Sequence, residues 1–141
     1  MKVSATEGLS QQIKKINKRP QLAIDKAFKP GKSGMEIYVE RPGHGEKTKD
    51  GSHVKVHYEG WLASDFTLFD SSRAKRKPFE FDLGKGSLIK GWEISLQGLR
   101  QGTKLQIKIP SELAYGTQGV PSMGIPPNAD LIFKIEILKV S

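Results

Sequence analysis

Five segments of this chain alternate apolar and polar residues with a period of two, the spacing of a strand with one buried face. In 35–41, Met35, Ile37 and Val39 share the apolar side. In 53–61, Val54, Val56 and Tyr58 oppose His53, Lys55, His57 and Glu59. Phe79, Phe81 and Leu83 alternate next, then Leu105, Ile107 and Ile109, and last Leu131, Phe133, Ile135 and Ile137. Such segments predict an antiparallel sheet with one packed face. Only one stretch of the same region has helical spacing. In "IKGWEISLQGL", Ile89, Trp92 and Leu96 fall on one face, and Gly98 is placed to end the helix. A sheet with one apolar face needs a cover, and one helix is available. The expectation is an α+β fold in which Trp92 points from that helix into the concave side of the sheet.

The length of 141 residues suits one domain with a real core. With no cysteine, disulfides, thiol nucleophiles and zinc-thiolate sites are excluded. Such a chain fits a reducing compartment, and the expected location is cytoplasmic. No apolar run approaches the roughly 18 residues of a membrane span, and the N-terminus has no apolar signal-like core. No membrane contact is expected.

The net charge of +8 is unevenly placed. Residues 1–34 hold eight Lys and Arg against two acids, whereas 35–141 are nearly balanced. With "PGKSG" at 30–34 read as a linker, the chain divides into a basic N-terminal extension, 1–34, and a body, 35–141. Leu9, Ile13 and Ile16 have helical spacing, Thr6 is placed to cap, and Pro20 ends the pattern. "LAIDKAF" at 22–28 offers another short helical stretch. The arm reads as a solvated extension; a helix docked on the body or on a second copy, and a contact with nucleic acid, are the alternatives. Lysines attract phosphate without sequence preference, but no aromatic interleaves them here.

Motifs for nucleophilic, metal or cofactor chemistry are missing. "GKGSLIKG" has Ile89 where a dinucleotide fingerprint needs its third glycine. No phosphate-loop spacing occurs, and His44, His53 and His57 lack metal-ligand spacing; His57 reads as solvated on the polar face of its strand. Ser71 and Ser72 have no nucleophile-elbow sequence around them. Any enzyme built here is expected to work without cofactor or metal.

Five blocks, in order, carry a resemblance: "VHYEGWL", "FDSSRAKRKPFEFDLGKGSLIKGW", "LQIKIPSELAYGTQG", "GIPPNADL" and "IFKIEILKV". From about Met35 to the C-terminus the chain resembles the FK506-binding-protein family of peptidyl-prolyl cis/trans isomerases. The resemblance implies a five-stranded antiparallel half-barrel wrapped around one short helix, with an apolar pocket for a proline ring between them. By the same resemblance, Trp92 is the pocket floor, expected to be partly exposed when empty. Tyr58, Phe79 and Phe133 are aromatic walls, and Leu88 and Ile89 the aliphatic pair before the helix. The Ile89 N–H and the Tyr115 hydroxyl are donors to ligand carbonyls. Phe69 and Asp70 form the rim, and Ile125 is a contact from the long loop. Implied partners are proline-containing peptides and proteins and FK506- or rapamycin-type macrolides. The alternative is a binding or chaperone module that keeps the fold, its basic arm contacting nucleic acid or a partner.

These residue types suit the chemistry. A peptide bond rotates over a barrier of about 18–20 kcal/mol because twisting breaks amide resonance. For X–Pro the two planar forms differ by only about 0.5–1 kcal/mol, so both are populated and exchange slowly. A dry pocket stabilises the less polarised twisted amide relative to the planar one, and fixed donors hold the bent pose. No proton transfer is required. The chain also departs from the family pattern: Phe66 and Leu68 replace Gly and polar residues, Lys75 stands where an arginine often braces the rim carboxylate, and Leu88 replaces valine.

Overall fold

The computed structural model describes residues 29–30 and 32–141. Seven strands form one antiparallel sheet: β1 (Lys29–Pro30), β2 (Glu36–Arg41), β3 (His53–Leu62), β4 (Leu68–Ser71), β5 (Phe79–Asp82), β6 (Lys104–Ile109) and β7 (Leu131–Val140). Among the described residues one α-helix, α1 (Lys90–Ser95), lies between β5 and β6 in the chain. The strand order is β1-β2-β6-β7-β3-β4, with β5 also paired to β3. Strand β3 is the organiser. One edge pairs with β7 from Val54↔Val140 to Leu62↔Leu131. Its other edge is divided, β5 taking His53–Val56 and β4 taking Glu59–Trp61.

All five strands expected from alternation are present, as is the helix. Two strands were not anticipated. In β4 the apolar Leu68 and Phe69 are adjacent, and a register shift opposite Gly60 and Trp61 breaks the period of two. In β1, Lys29 and Pro30 pair with Ile37 and Glu36 across a turn at Lys32–Gly34, where Ser33 has φ 56°. The Gly- and Pro-rich stretch read as a linker therefore carries a chain reversal. The helical readings at 6–20 and 22–28, and the contacts of the arm, lie outside the described residues.

The sequence's inward set forms the core. Val54, Val56, Leu105, Ile107, Ile109, Leu131, Ile135 and Ile137 are fully buried, each worth roughly 1.5–3 kcal/mol in transfer terms. Val39 departs from expectation at 44% exposed. The β2–β6 register slips between Val39 and Arg41, and β1 covers the outer edge of β2 only at Glu36 and Ile37, so Val39 has lost its place on the packed face.

Helix α1 covers the sheet through Trp92 and the fully buried Leu96. Close approach is possible because residue 91 is glycine: a Cβ there would sit 2.6 Å from Cγ2 of Ile109. Beyond the helix, the buried Thr48 hydroxyl donates to the Leu96 carbonyl at 2.6 Å and accepts the Leu99 N–H at 2.9 Å. A side chain 48 positions away in sequence thus satisfies a carbonyl that helix termination leaves open.

Candidate active site

A cavity of about 320 Å³ opens between α1 and the concave face of the sheet. Strand β3 supplies Tyr58, β4 supplies Phe69 and Asp70, β5 supplies Phe79, and β7 supplies Phe133. Ser87, Leu88 and Ile89 come from the segment entering α1, Trp92 from its first turn, and Tyr115 from the loop after β6. Residues from five elements converge because β3 sits centrally and the helix is pressed onto β6 at Gly91.

The rings meet edge to face. Trp92 lies 5.3 Å from Tyr58 at 85° and 5.3 Å from Phe133 at 83°, while Phe69 meets Phe133 at 5.6 Å and 89°. This arrangement sets the positive ring edge against the negative face of the neighbour. Gly60 makes it possible, since a Cβ there would lie 2.6 Å from Phe69 and 2.8 Å from Phe133. The expectation of a partly exposed Trp92 is corrected: the residue is only 4% exposed. Tyr58, Phe79, Phe81 and Phe133 all pack at steep angles against the indole, so the floor of the cavity is enclosed by rings and does not protrude. Its Nε1 is buried without an acceptor among the described residues.

Polar groups ring the mouth. The Tyr58 hydroxyl donates to Oδ2 of Asp70 at 2.5 Å. Oδ1 of Asp70 accepts the Ser71 N–H at 2.9 Å and lies 2.9 Å from the Lys75 ammonium. The brace that an arginine often supplies is made here by Lys75, which also stands 5.9 Å from the Tyr58 ring centre. From the other side the Tyr58 N–H donates to the buried Ser72 hydroxyl at 2.7 Å, and His57 Nδ1 lies 2.8 Å from the same oxygen. His57 is therefore tied into the support of Tyr58 and is not simply solvated.

Burial, then the hydrogen bond to Asp70, pushes the Tyr58 phenol far up from its ordinary range. Burial, and then the charge of Asp70, raises Tyr115 as well. Both hydroxyls remain proton donors at neutral pH. The Tyr115 hydroxyl has no protein acceptor among the described residues, and neither does the Ile89 N–H. Ile89 is the N-cap of α1, in extended conformation with φ −62° and ψ 149°, which is why its amide is outside the helical ladder.

Nine of the ten residues singled out in the sequence line this cavity. Ile125 does not: it is 1% exposed, belongs to the core cluster, and bridges to Val120 within its loop. Phe66 and Leu68 are half-buried and lie outside the lining. Ser87 was missed, having no periodicity or motif to mark it, as was Ser72, whose role depends on a contact across the β3–β4 edge. No group of three or more His, Cys, Asp or Glu suited to a metal occurs among the described residues, and no helix there is long and apolar enough to cross a membrane.

Residues 44–138 match the family model described as FKBP-type peptidyl-prolyl cis-trans isomerase. The chain belongs to that family. A relative of this FKBP-type chain, the peptidyl-prolyl cis-trans isomerase FPR2 of Saccharomyces cerevisiae, is 48% identical over 67% of this chain and 69% of its own length. The FK506-binding protein of Neisseria meningitidis serogroup B is 43% identical over 76% of this chain and 96% of its own. The crystal structure of FkpA from Escherichia coli superposes with a TM-score of 0.74 at 35% identity, over 98% of this FKBP-type chain and 60% of that one. Peptidyl-prolyl isomerisation is thus the chemistry to be explained by the cavity.

Proposed function

We propose that this isomerase binds the proline of an X–Pro peptide in the cavity over Trp92 and there lowers the barrier to rotation of the preceding amide. The observation that carries the reading is the composition of the cavity: six aromatic side chains and Leu88 around about 320 Å³, with two unengaged donors, the Tyr115 hydroxyl and the Ile89 N–H, at its edge. The rings exclude water from the amide. A planar amide is polarised by resonance and is well solvated by water, whereas the twisted amide has lost that polarisation and loses less on desolvation. The Tyr115 hydroxyl and the Ile89 N–H hold carbonyls flanking the proline, fixing the chain while one bond turns. Asp70, held by Tyr58 and Lys75, keeps the mouth in shape and places a negative field beside the rotating carbonyl. No bond to the protein forms, and no proton moves.

The same cavity is the proposed site for FK506- or rapamycin-type macrolides. The test is isomerisation of a short X–Pro peptide by the wild-type protein, Tyr115→Phe and Asp70→Ala. Tyr115→Phe should lower kcat/KM several-fold, because one neutral hydrogen bond contributes about 0.5–1.5 kcal/mol; Asp70→Ala, which removes a charged acceptor, should lower it as well, and both proteins should stay folded. Unchanged rates in both would remove these residues from the site.

A further inference from the structure

A second cleft, of about 440 Å³, adjoins the cavity and shares two of its walls, Tyr58 and Phe79. Its remaining lining is Ser72, Lys75, Lys77, Pro78 and Glu80. We propose that this cleft is a specificity subsite for the substrate, which takes an acidic side chain close in sequence to the isomerised proline; the proposal rests on the cavity over Trp92 being the isomerase site.

Three observations support it. The first is continuity. The Tyr58 and Phe79 rings, 5.9 Å apart at 71°, are a partition common to both spaces, and Phe79 is 37% exposed. Two residues of extended chain span roughly 7 Å, so a peptide with its proline over Trp92 reaches across this partition within a residue or two. The second is charge. Lys75 is engaged with Asp70 at 2.9 Å, and Glu80 is engaged with His53 at 2.8 Å. Lys77 helps hold the Glu80 carboxyl below its ordinary value but makes no direct ion pair among the described residues; with Glu80 bonded to His53, the Lys77 ammonium stays open to an incoming carboxylate. The third is rigidity. The turn carrying both lysines is fixed by Lys75 N–H to the Ser71 carbonyl, Arg76 N–H to the Arg73 carbonyl and Lys77 N–H to the Ser72 carbonyl. Arg76 takes φ 57°, the left-handed conformation that reverses the chain and leaves Lys75 and Lys77 on the same cleft. A fixed backbone leaves only the lysine side chain to be ordered on binding.

The test compares kcat/KM for a neutral X–Pro peptide with peptides bearing one Glu at either of the two positions on each side of the X–Pro pair. The full chain is used as wild type, Lys77→Gln and Lys77→Glu. At low salt the wild type should favour at least one Glu-bearing peptide by about two- to five-fold, the range an exposed ion pair supplies, and the preference should fade as salt rises. Lys77→Gln should abolish the preference and Lys77→Glu reverse it, with the neutral peptide turned over at the wild-type rate by both. No preference in the wild type, or a preference that survives Lys77→Glu, would overturn the subsite. Loss of the isomerase site itself would appear differently, as absence of catalysis on the neutral peptide.

Discussion

The Tyr58 hydroxyl lies 2.5 Å from Oδ2 of Asp70 and joins the centre of β3 to the rim strand β4. The carboxylate is the acceptor, and Lys75 and the Ser71 N–H hold its other oxygen. Removing either partner leaves the other polar group poorly paired beside an apolar cavity. Tyr58→Phe and Asp70→Ala should each cost roughly 1–3 kcal/mol, as for a hydrogen bond to a charged group. The double variant should cost less than the sum, since neighbours in one network couple. Urea unfolding of the four proteins checks this; strict additivity would mean that the bond contributes nothing. Lys75→Ala should cost no more than about 1 kcal/mol, because its side chain is 60% exposed.

Trp92 is enclosed even in the empty cavity, so its emission should already be that of a buried indole. Trp61, 6% exposed at the end of β3, contributes a second buried signal. In Trp61→Phe, a macrolide or proline peptide packed on the remaining indole should alter its intensity more than its wavelength. Trp92→Ala should destabilise by roughly 3–5 kcal/mol, whereas Trp92→Leu keeps much of the volume and should lose affinity with a smaller loss of stability. Equal losses of stability in the two variants would show that ring volume is not what Trp92 supplies.

The strands were legible because burial imposes a period of two; that Tyr58, Phe79 and Phe133 line a pocket and do not simply fill a core was implied by the family resemblance. Strand β4 escaped because a bulge removes that period, and Val39 was misplaced because a register slip cannot be read from alternation. Ile125 lies in the loop between β6 and β7, where no periodicity assigns a facing, and the structure turns it into the core. Lys75 and Ser72 act through contacts between β3 and the β4 turn, and only the fold reveals which residues lie opposite. The burial of Trp92 depends on rings from three different strands and is equally invisible along the chain.

His53 on β3 lies between two carboxylates of β5, 2.8 Å from Glu80 and 2.9 Å from Asp82. The bond to Glu80, then that to Asp82, raises the imidazole above its ordinary 6.5, and the bond to His53 holds Glu80 below its ordinary 4.5. The stability contributed by His53 is fully present below 6.5 and is lost as pH rises through its raised folded value. That contributed by Glu80 is present above 4.5 and is lost as pH falls through its lowered one. The clamp is complete between these ordinary values. A Tm profile of His53→Gln should be flatter than wild type above pH 6.5; identical slopes would contradict the clamp.

Residues 35–141 contain every described strand but β1 and all the cavity residues. A chain beginning at Met35 should fold cooperatively and isomerise a short X–Pro peptide at close to the full-length rate. A chain beginning at Lys29 should be slightly more stable, because it keeps the pairing of Lys29 and Pro30 with β2. Calorimetric melting of both gives the comparison, and an absent transition in the shorter chain would place the domain boundary before residue 35.

The most direct measurement is the rate of X–Pro isomerisation as an FK506-type macrolide is titrated into the Trp61→Phe protein, with binding followed by calorimetry and by Trp92 emission. A single cavity over Trp92 predicts that heat, emission change and loss of catalysis saturate together at one equivalent. Catalysis that persists at saturating macrolide, or emission that ignores it, would show that the isomerase site lies elsewhere.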